Sequence, residues 1–352
     1  MNAHSAFLIL LAGCQGADAE RGKAALEAPR AALDAESLMA DSASVCWERF
    51  SRSVPVETNC TSLGVTSRVD TVRVTVRDTV VIHAASSAFV PFAFGPYDMY
   101  RGPGSAEGFT AGHSYADPKG LVSLLKRLRD NKQRAFLALT GGSHDQYITF
   151  GKFDLLKWKA GLARYDTPVL KAALEEGVKD GTILGYNMLD EPPHPSWGGA
   201  LTKATVDTMA AYCKSLFPFM PCGVAVDHRW RPAERYRLVD FIIAQTWMER
   251  ISAEEFRDSA VVAAKQNGVA LVLGINLFGE RQIPGCEPRR NQCLMTPADV
   301  RDWGRTFVSE PYACAVVLWR YEADMWSRPE YQAQFNDVAN VARQRVGKPC
   351  RR

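Results

Sequence analysis

Residues 185–195 read GYNMLDEPPHP. They end an apolar run over residues 183–189 that stops at two adjacent carboxylates, Asp190 and Glu191, followed at once by Pro192 and Pro193. A run of this length, bounded by turn signals, reads as a buried strand. The proline pair removes backbone donors and fixes φ, so strand pairing stops there and the exit loop is stiff. The strand therefore acts as a scaffold that delivers two acids to its C-terminal end.

Outward from this stretch, residues 88–352 alternate strands with helices. Apolar strands are predicted at 88–95, 134–140, 182–189, 222–227, 239–246, 269–276 and 313–320. Helices are predicted at 118–131, 168–180, 201–216, 252–267, 297–308 and 329–345. Their starts carry cap residues followed by proline or acids, as in Asp166 or Thr167 before Pro168, Ser252 with Glu254 and Glu255, and Thr296-Pro297. Such alternation predicts a parallel sheet, and the length suits a (β/α)8 TIM barrel. A doubly wound open sheet is the alternative, but no GxGxxG follows the first strand. An eighth strand is needed, and the gap over 141–181 offers 147–150, which makes 182–189 strand four. In a barrel the C-terminal strand ends carry the site. Residues expected there are Tyr97 and Asp98, Thr140, Asp190 and Glu191, His194, Asp227 and His228, Gln245 and Trp247, Asn276 and Glu280, and Trp319, Arg320 and Glu322. Aromatic rings, amides and carboxylates converge, a set that stacks on sugar rings and bonds their hydroxyls.

The formal net charge of +3 gives no basis for nucleic-acid binding. Six His occur, with no HxH or HExxH, so no metal site is expected and no cofactor is implied. Residues 6–13, AFLILLAG, are too short for a spanning helix and read as a secretory h-region. Leu11-Ala12-Gly13-Cys14 resembles the bacterial lipoprotein box, which implies removal of the preceding residues, lipidation at Cys14 and anchoring to the cell envelope. Residues 15–87 read as a linker, with a β-rich segment of alternating branched and polar residues at 65–83. An oxidising compartment makes sense of the remaining cysteines. Cys286 and Cys293 bracket a short polar insert that one disulfide would close. Cys213 and Cys222 flank another stretch, as do Cys46 and Cys60, and Cys314 in its apolar run reads as a small core residue.

Asp190-Glu191-Pro192 resembles the Asn/Asp-Glu-Pro motif that ends strand four in (β/α)8 glycoside hydrolases. The resemblance implies that Glu191 is the acid/base, that a strand-seven Glu is the nucleophile, with Glu280 the best-placed residue and Glu322 the reserve, and that Trp319 floors the sugar site. Asp190 is expected to tune Glu191 or to brace the mouth. The implied partner is an oligo- or polysaccharide. The alternative is a non-catalytic carbohydrate-binding lipoprotein that uses the barrel mouth as a receptor.

Overall fold

The computed structural model describes residues 43–51, 54–63, 90–100, 102, 107–141, 144–199, 201–245, 251–279, 287–289, 292–319 and 321–352. The chain divides into two compact units, Met1–Ala88 and Phe89–Arg352. In the first, Ala43–Ser51 and Val54–Leu63 form an antiparallel hairpin whose register sets Cys46 opposite Cys60. Cys14 and the alternating segment 65–83 lie outside the described residues.

The second unit holds an eight-stranded parallel sheet. Its strands are β1 (Ala93–Pro96), β2 (Ala111–Tyr115), β3 (Arg134–Ala138), β4 (Ile183–Asp190), β5 (Cys222–Val226), β6 (Phe241–Gln245), β7 (Ala270–Asn276) and β8 (Ala313–Trp319). Each of β2 to β8 pairs with its neighbour in sequence, and β8 also pairs with β1. The sheet is thus rolled into a nearly closed (β/α)8 barrel. The helices are α1 (Leu121–Asp130), α2 (Leu155–Ala163), α3 (Pro168–Lys179), α4 (Lys203–Leu216), α5 (Ala253–Asn267), α6 (Pro297–Val308), α7 (Ala323–Trp326) and α8 (Pro329–Gln344). Thr167 and Ser252 cap as the sequence signals indicate, each accepting a backbone N–H, and Thr296 forms a capping box with Asp299; Thr202 caps α4 in the same way, a cap not predicted from the sequence. Among the described residues no helix joins β1 to β2 or β5 to β6. None of the described helices is long and apolar enough to cross a membrane.

The eighth strand is not at 147–150. It is β2, AGHSY, a short segment without branched residues that carries no strand signal of its own. Position 112 has to be glycine because an added Cβ would sit 2.5 Å from the Pro96 carbonyl oxygen of β1. On the facing strand, a Cβ on Gly95 would be 1.8 Å from the Ala111 carbonyl. Close approach thus substitutes for branched packing. In place of a strand, His144–Tyr147 is a 3-10 turn, followed by a small hairpin of Ile148–Thr149 and Lys152–Phe153. Because β2 precedes β3, strand four keeps its number.

The seam between β1 and β2 has no regular ladder. It closes through single bonds: Thr110 N–H to the Phe94 carbonyl (3.1 Å), Phe94 N–H to Thr110 Oγ1 (2.9 Å), and Met99 N–H to the His113 carbonyl (2.9 Å). One buried apolar cluster fills the barrel, drawing Ala93, Ala111, Phe136, Leu184, Ala225, Ile243, Val272 and Val317 from all the strands. A larger one lies between barrel and helices. Disulfides join Cys213 to Cys222 and Cys314 to Cys350. Cys314 is therefore not a lone core thiol, because the tail after α8 returns to the barrel and Cys350 is buried within its apolar filling. Cys293 is buried and disulfide-bonded, while Cys286 lies outside the described residues.

Candidate active site

Strand β4 leaves regular pairing before its end. Asn187 lies opposite Gly223, but Asp190 lies opposite Ala225, so β4 spends one extra residue there as a bulge. Met188 and Leu189 both enter the outer apolar cluster, whereas Asn187 reaches Tyr97 within the barrel. The bulge thus restores Asp190 to the inner side. Glu191 then adopts φ 48°, the left-handed region in which a side chain is strained. Its N–H still donates to the Ala225 carbonyl (2.9 Å), and the Trp197 indole N–H holds its carbonyl (2.9 Å). Strict alternation would have sent the two acids to opposite faces. The bulge and the left-handed residue bring them to the same mouth.

Below them lies a polar floor. Tyr97 and His113 stack with ring centroids 3.8 Å apart. His113 Nδ1 is 2.9 Å from the Tyr97 carbonyl, which only accepts, so Nδ1 carries the proton and Nε2 is bare. Burial lowers its pKa to about 3, so the ring is neutral. The Asn187 amide donates to Tyr97 Oη (2.8 Å) and faces His113 Nε2 (3.4 Å), while its Oδ1 accepts the Ala225 N–H (3.1 Å). Tyr97 Oη accepts from Asn187 and keeps its own hydrogen to donate.

Burial pushes Asp190 up to about 7, with the Asp98 charge adding to it. Burial, and then the Asp190 charge, pushes Glu191 up to about 8. Tyr97 is raised well above its ordinary value, chiefly by burial and then by Asp190, Tyr115, Asp98 and Glu191. Asp98, Asp190 and Glu191 therefore share one corner of the mouth with two tyrosines. Asp190 Oδ1 is enclosed without a hydrogen-bond partner, and so is Asn276 Oδ1. A cavity of about 530 Å3 opens beside the corner. It is lined by Asp98 and Tyr115 but not by Asp190 or Glu191, and it extends toward Tyr100 and Arg127, so it adjoins the acids without being centred on them.

The two-residue period carries Ala225, Ile243 and Val317 on to Asp227, Gln245 and Trp319, and Val272 on to Asn276, all on the barrel side. Gln245 and Asn276 are buried, and Trp319 is half-buried against the inner core. Burial raises Asp227, but hydrogen bonds from Arg229 outweigh it and hold the carboxyl below its ordinary value. His228 turns the other way: its ring meets Phe256 edge-on and Nε2 lies 2.8 Å from Ser259 Oγ on α5. His194 is exposed and its Nδ1 accepts the Ser196 N–H (3.2 Å). Glu322 is half-buried at the start of α7. Glu280, Trp247 and Arg320 lie outside the described residues. Sequence reading missed His113, Asn187 and Tyr115. Asn187 carried the one available signal, a lone amide inside a buried apolar run.

No protein-family model matches the chain, and no curated protein matches it. Several solved structures are similar to it. A family 5_18 glycoside hydrolase from Bifidobacterium longum subsp. infantis has TM-score 0.46 and 13% identity, covering 74% of this chain and 81% of that one. A family 5 mannosidase from Rhizomucor miehei has TM-score 0.44 and 10% identity, covering 68% and 86%. The family 18 chitinase ChiB of Flavobacterium johnsoniae has TM-score 0.44 and 13% identity, covering 72% and 94%.

Proposed function

We propose that the protein is a glycosidase in which Glu191 is the general acid. The observation that carries this reading is the placement of Glu191: the β4 bulge and its own left-handed φ of 48° bring it with Asp190 to the strand-four mouth, where burial raises its pKa. Glycoside hydrolysis needs one protonated and one ionised carboxyl flanking the scissile bond. Burial and then the Asp98 charge raise Asp190, and burial and then the Asp190 charge raise Glu191. Glu191 donates the proton to the leaving oxygen, burial keeps it protonated with the Asp190 charge adding to this, and Asp98 is assigned as the second carboxyl. Trp319, Gln245, Asn276 and Tyr97 supply stacking and hydroxyl contacts. In a screen of aryl glycosides and oligosaccharides, Glu191→Gln is expected to lower turnover by roughly 10²–10⁴-fold for poor leaving groups while the fold persists. Unchanged turnover in that variant refutes the assignment.

The same reading puts the protein in the cell envelope, anchored by lipid on Cys14. The Leu-Ala-Gly-Cys box supports this, as do the Cys213–Cys222 and Cys314–Cys350 disulfides, which persist in oxidising compartments. Cys14→Ser is expected to leave the membrane fraction. Identical fractionation of wild type and variant refutes the anchor.

A further inference from the structure

The small hairpin after β3 carries a feature that folding does not explain. Phe150 and Gly151 form its two-residue tip, both left-handed, at φ 50° and 73°. Turns of this kind favour Asn-Gly because both positions need positive φ. Here a phenylalanine occupies the strained position, and its ring is 101% exposed. The chain thus bears backbone strain and an uncovered aromatic ring at one residue, with no packing in return. Two side-chain bonds tie the hairpin to the chain that follows it: Thr149 Oγ1 donates to Asp154 Oδ2 (2.7 Å), and Lys157 Nζ donates to the Ile148 carbonyl (3.0 Å). It is also joined to the candidate site. Phe153 meets Trp197 edge-on at 5.5 Å, and Gly198 lies so near the Gly151 carbonyl that a Cβ would be 2.2 Å from it. Trp197 in turn holds the Glu191 carbonyl.

We propose that Phe150 is a stacking platform for a sugar unit remote from the scissile bond, so that the substrate is an extended polysaccharide chain. This rests on the glycosidase reading for the reaction, and on the hairpin alone for the contact. A single ring between polar Thr149 and the exposed Lys152 matches the apolar face of one pyranose. A lipid surface would call for a broad apolar face, and a protein partner for a much larger complementary area.

The test compares wild type, Phe150→Gly and Phe150→Trp. Glycine adopts this φ freely, so the first variant keeps the turn and removes only the ring. Retention in native gels containing galactomannan, glycol chitin or xyloglucan is measured beside turnover of short aryl glycosides and co-sedimentation with phosphatidylcholine/phosphatidylglycerol vesicles. The expected result is roughly three- to tenfold weaker retention of Phe150→Gly on one polymer, restored by Trp, with equal turnover of short glycosides. Equal retention of all three proteins on every polymer, no retention of wild type on any, or a Phe150 dependence seen only with vesicles overturns the proposal. If no glycoside is cleaved but retention still depends on Phe150, the catalytic reading fails and the platform stands. If short glycosides are cleaved and retention ignores Phe150, the reverse holds.

Discussion

Replacing Asp190 by Asn removes a charge from the most crowded part of the mouth, and its effect on stability has a definite sign. Asp190 and Glu191 hold protons more tightly folded than unfolded, with folded values of about 7 and 8. Between roughly pH 4, where the unfolded carboxyls titrate, and pH 8, the folded state binds more protons. Stability must therefore fall as pH rises through that window and level off above it. For Asp190 the shift runs from 3.8 to about 7, and at about 1.4 kcal/mol per unit it corresponds to roughly 4 kcal/mol. Local relaxation and sharing of the charge with Glu191 halve this, giving an expected gain of about 2 kcal/mol for Asp190→Asn at pH 9 and little at pH 4, or roughly 4–8 °C in Tm. The assay is urea and thermal unfolding of wild type and variant from pH 4 to 9. Parallel stability curves, or a variant less stable than wild type at pH 9, would refute the electrostatic account. Burial raises Glu191 most and the Asp190 charge adds to it, so the same substitution should move the alkaline limb of kcat/KM to lower pH. A limb that stays in place would separate Asp190 from the titration of the acid.

Two further outcomes test the frame. Asn187→Ala leaves Tyr97 Oη and the buried Ala225 N–H without their partner, and should cost about 2–4 kcal/mol in urea unfolding; a loss below about 1 kcal/mol would mean that water or repacking replaces the amide. Cys350→Ala opens a disulfide closing 36 residues and should destabilise by about 3 kcal/mol, with thermal melts lowered relative to wild type under oxidising conditions; coincident melts would show that the tail is held by other contacts.

The barrel was legible where periodicity and caps agreed. Thr296-Pro297 with Asp299 fixes α6 at residues 297–308, and branched runs mark β5 to β8. AGHSY was not legible, because its strand character comes from the contact of Gly112 with β1 and the burial of His113, both tertiary. The reading of Cys314 failed for a related reason: a partner 36 residues away leaves no local trace. For the site, Asp190 and Glu191 were visible as acids ending an apolar run. Their convergence was not, since it depends on a bulge and one left-handed residue that override alternation. The weight of Asp98 in the corner emerges only from its charge reaching Asp190 across the mouth.

The seam between β1 and β2 has a consequence for how the barrel breathes. Elsewhere, opening a strand pair breaks a ladder of parallel pairs, interrupted in places by a bulge, whereas here it releases a few separate bonds around Phe94, Thr110, Met99 and His113. Among the barrel strands, native-state hydrogen exchange should find its lowest opening free energy at those amides. Tyr97 and His113 stack across this split, from the loop after β1 to β2. A ligand that seats in the cavity between Asp98 and Tyr115 would clasp both lips of the cylinder, and its binding would register as slowed exchange along the whole seam.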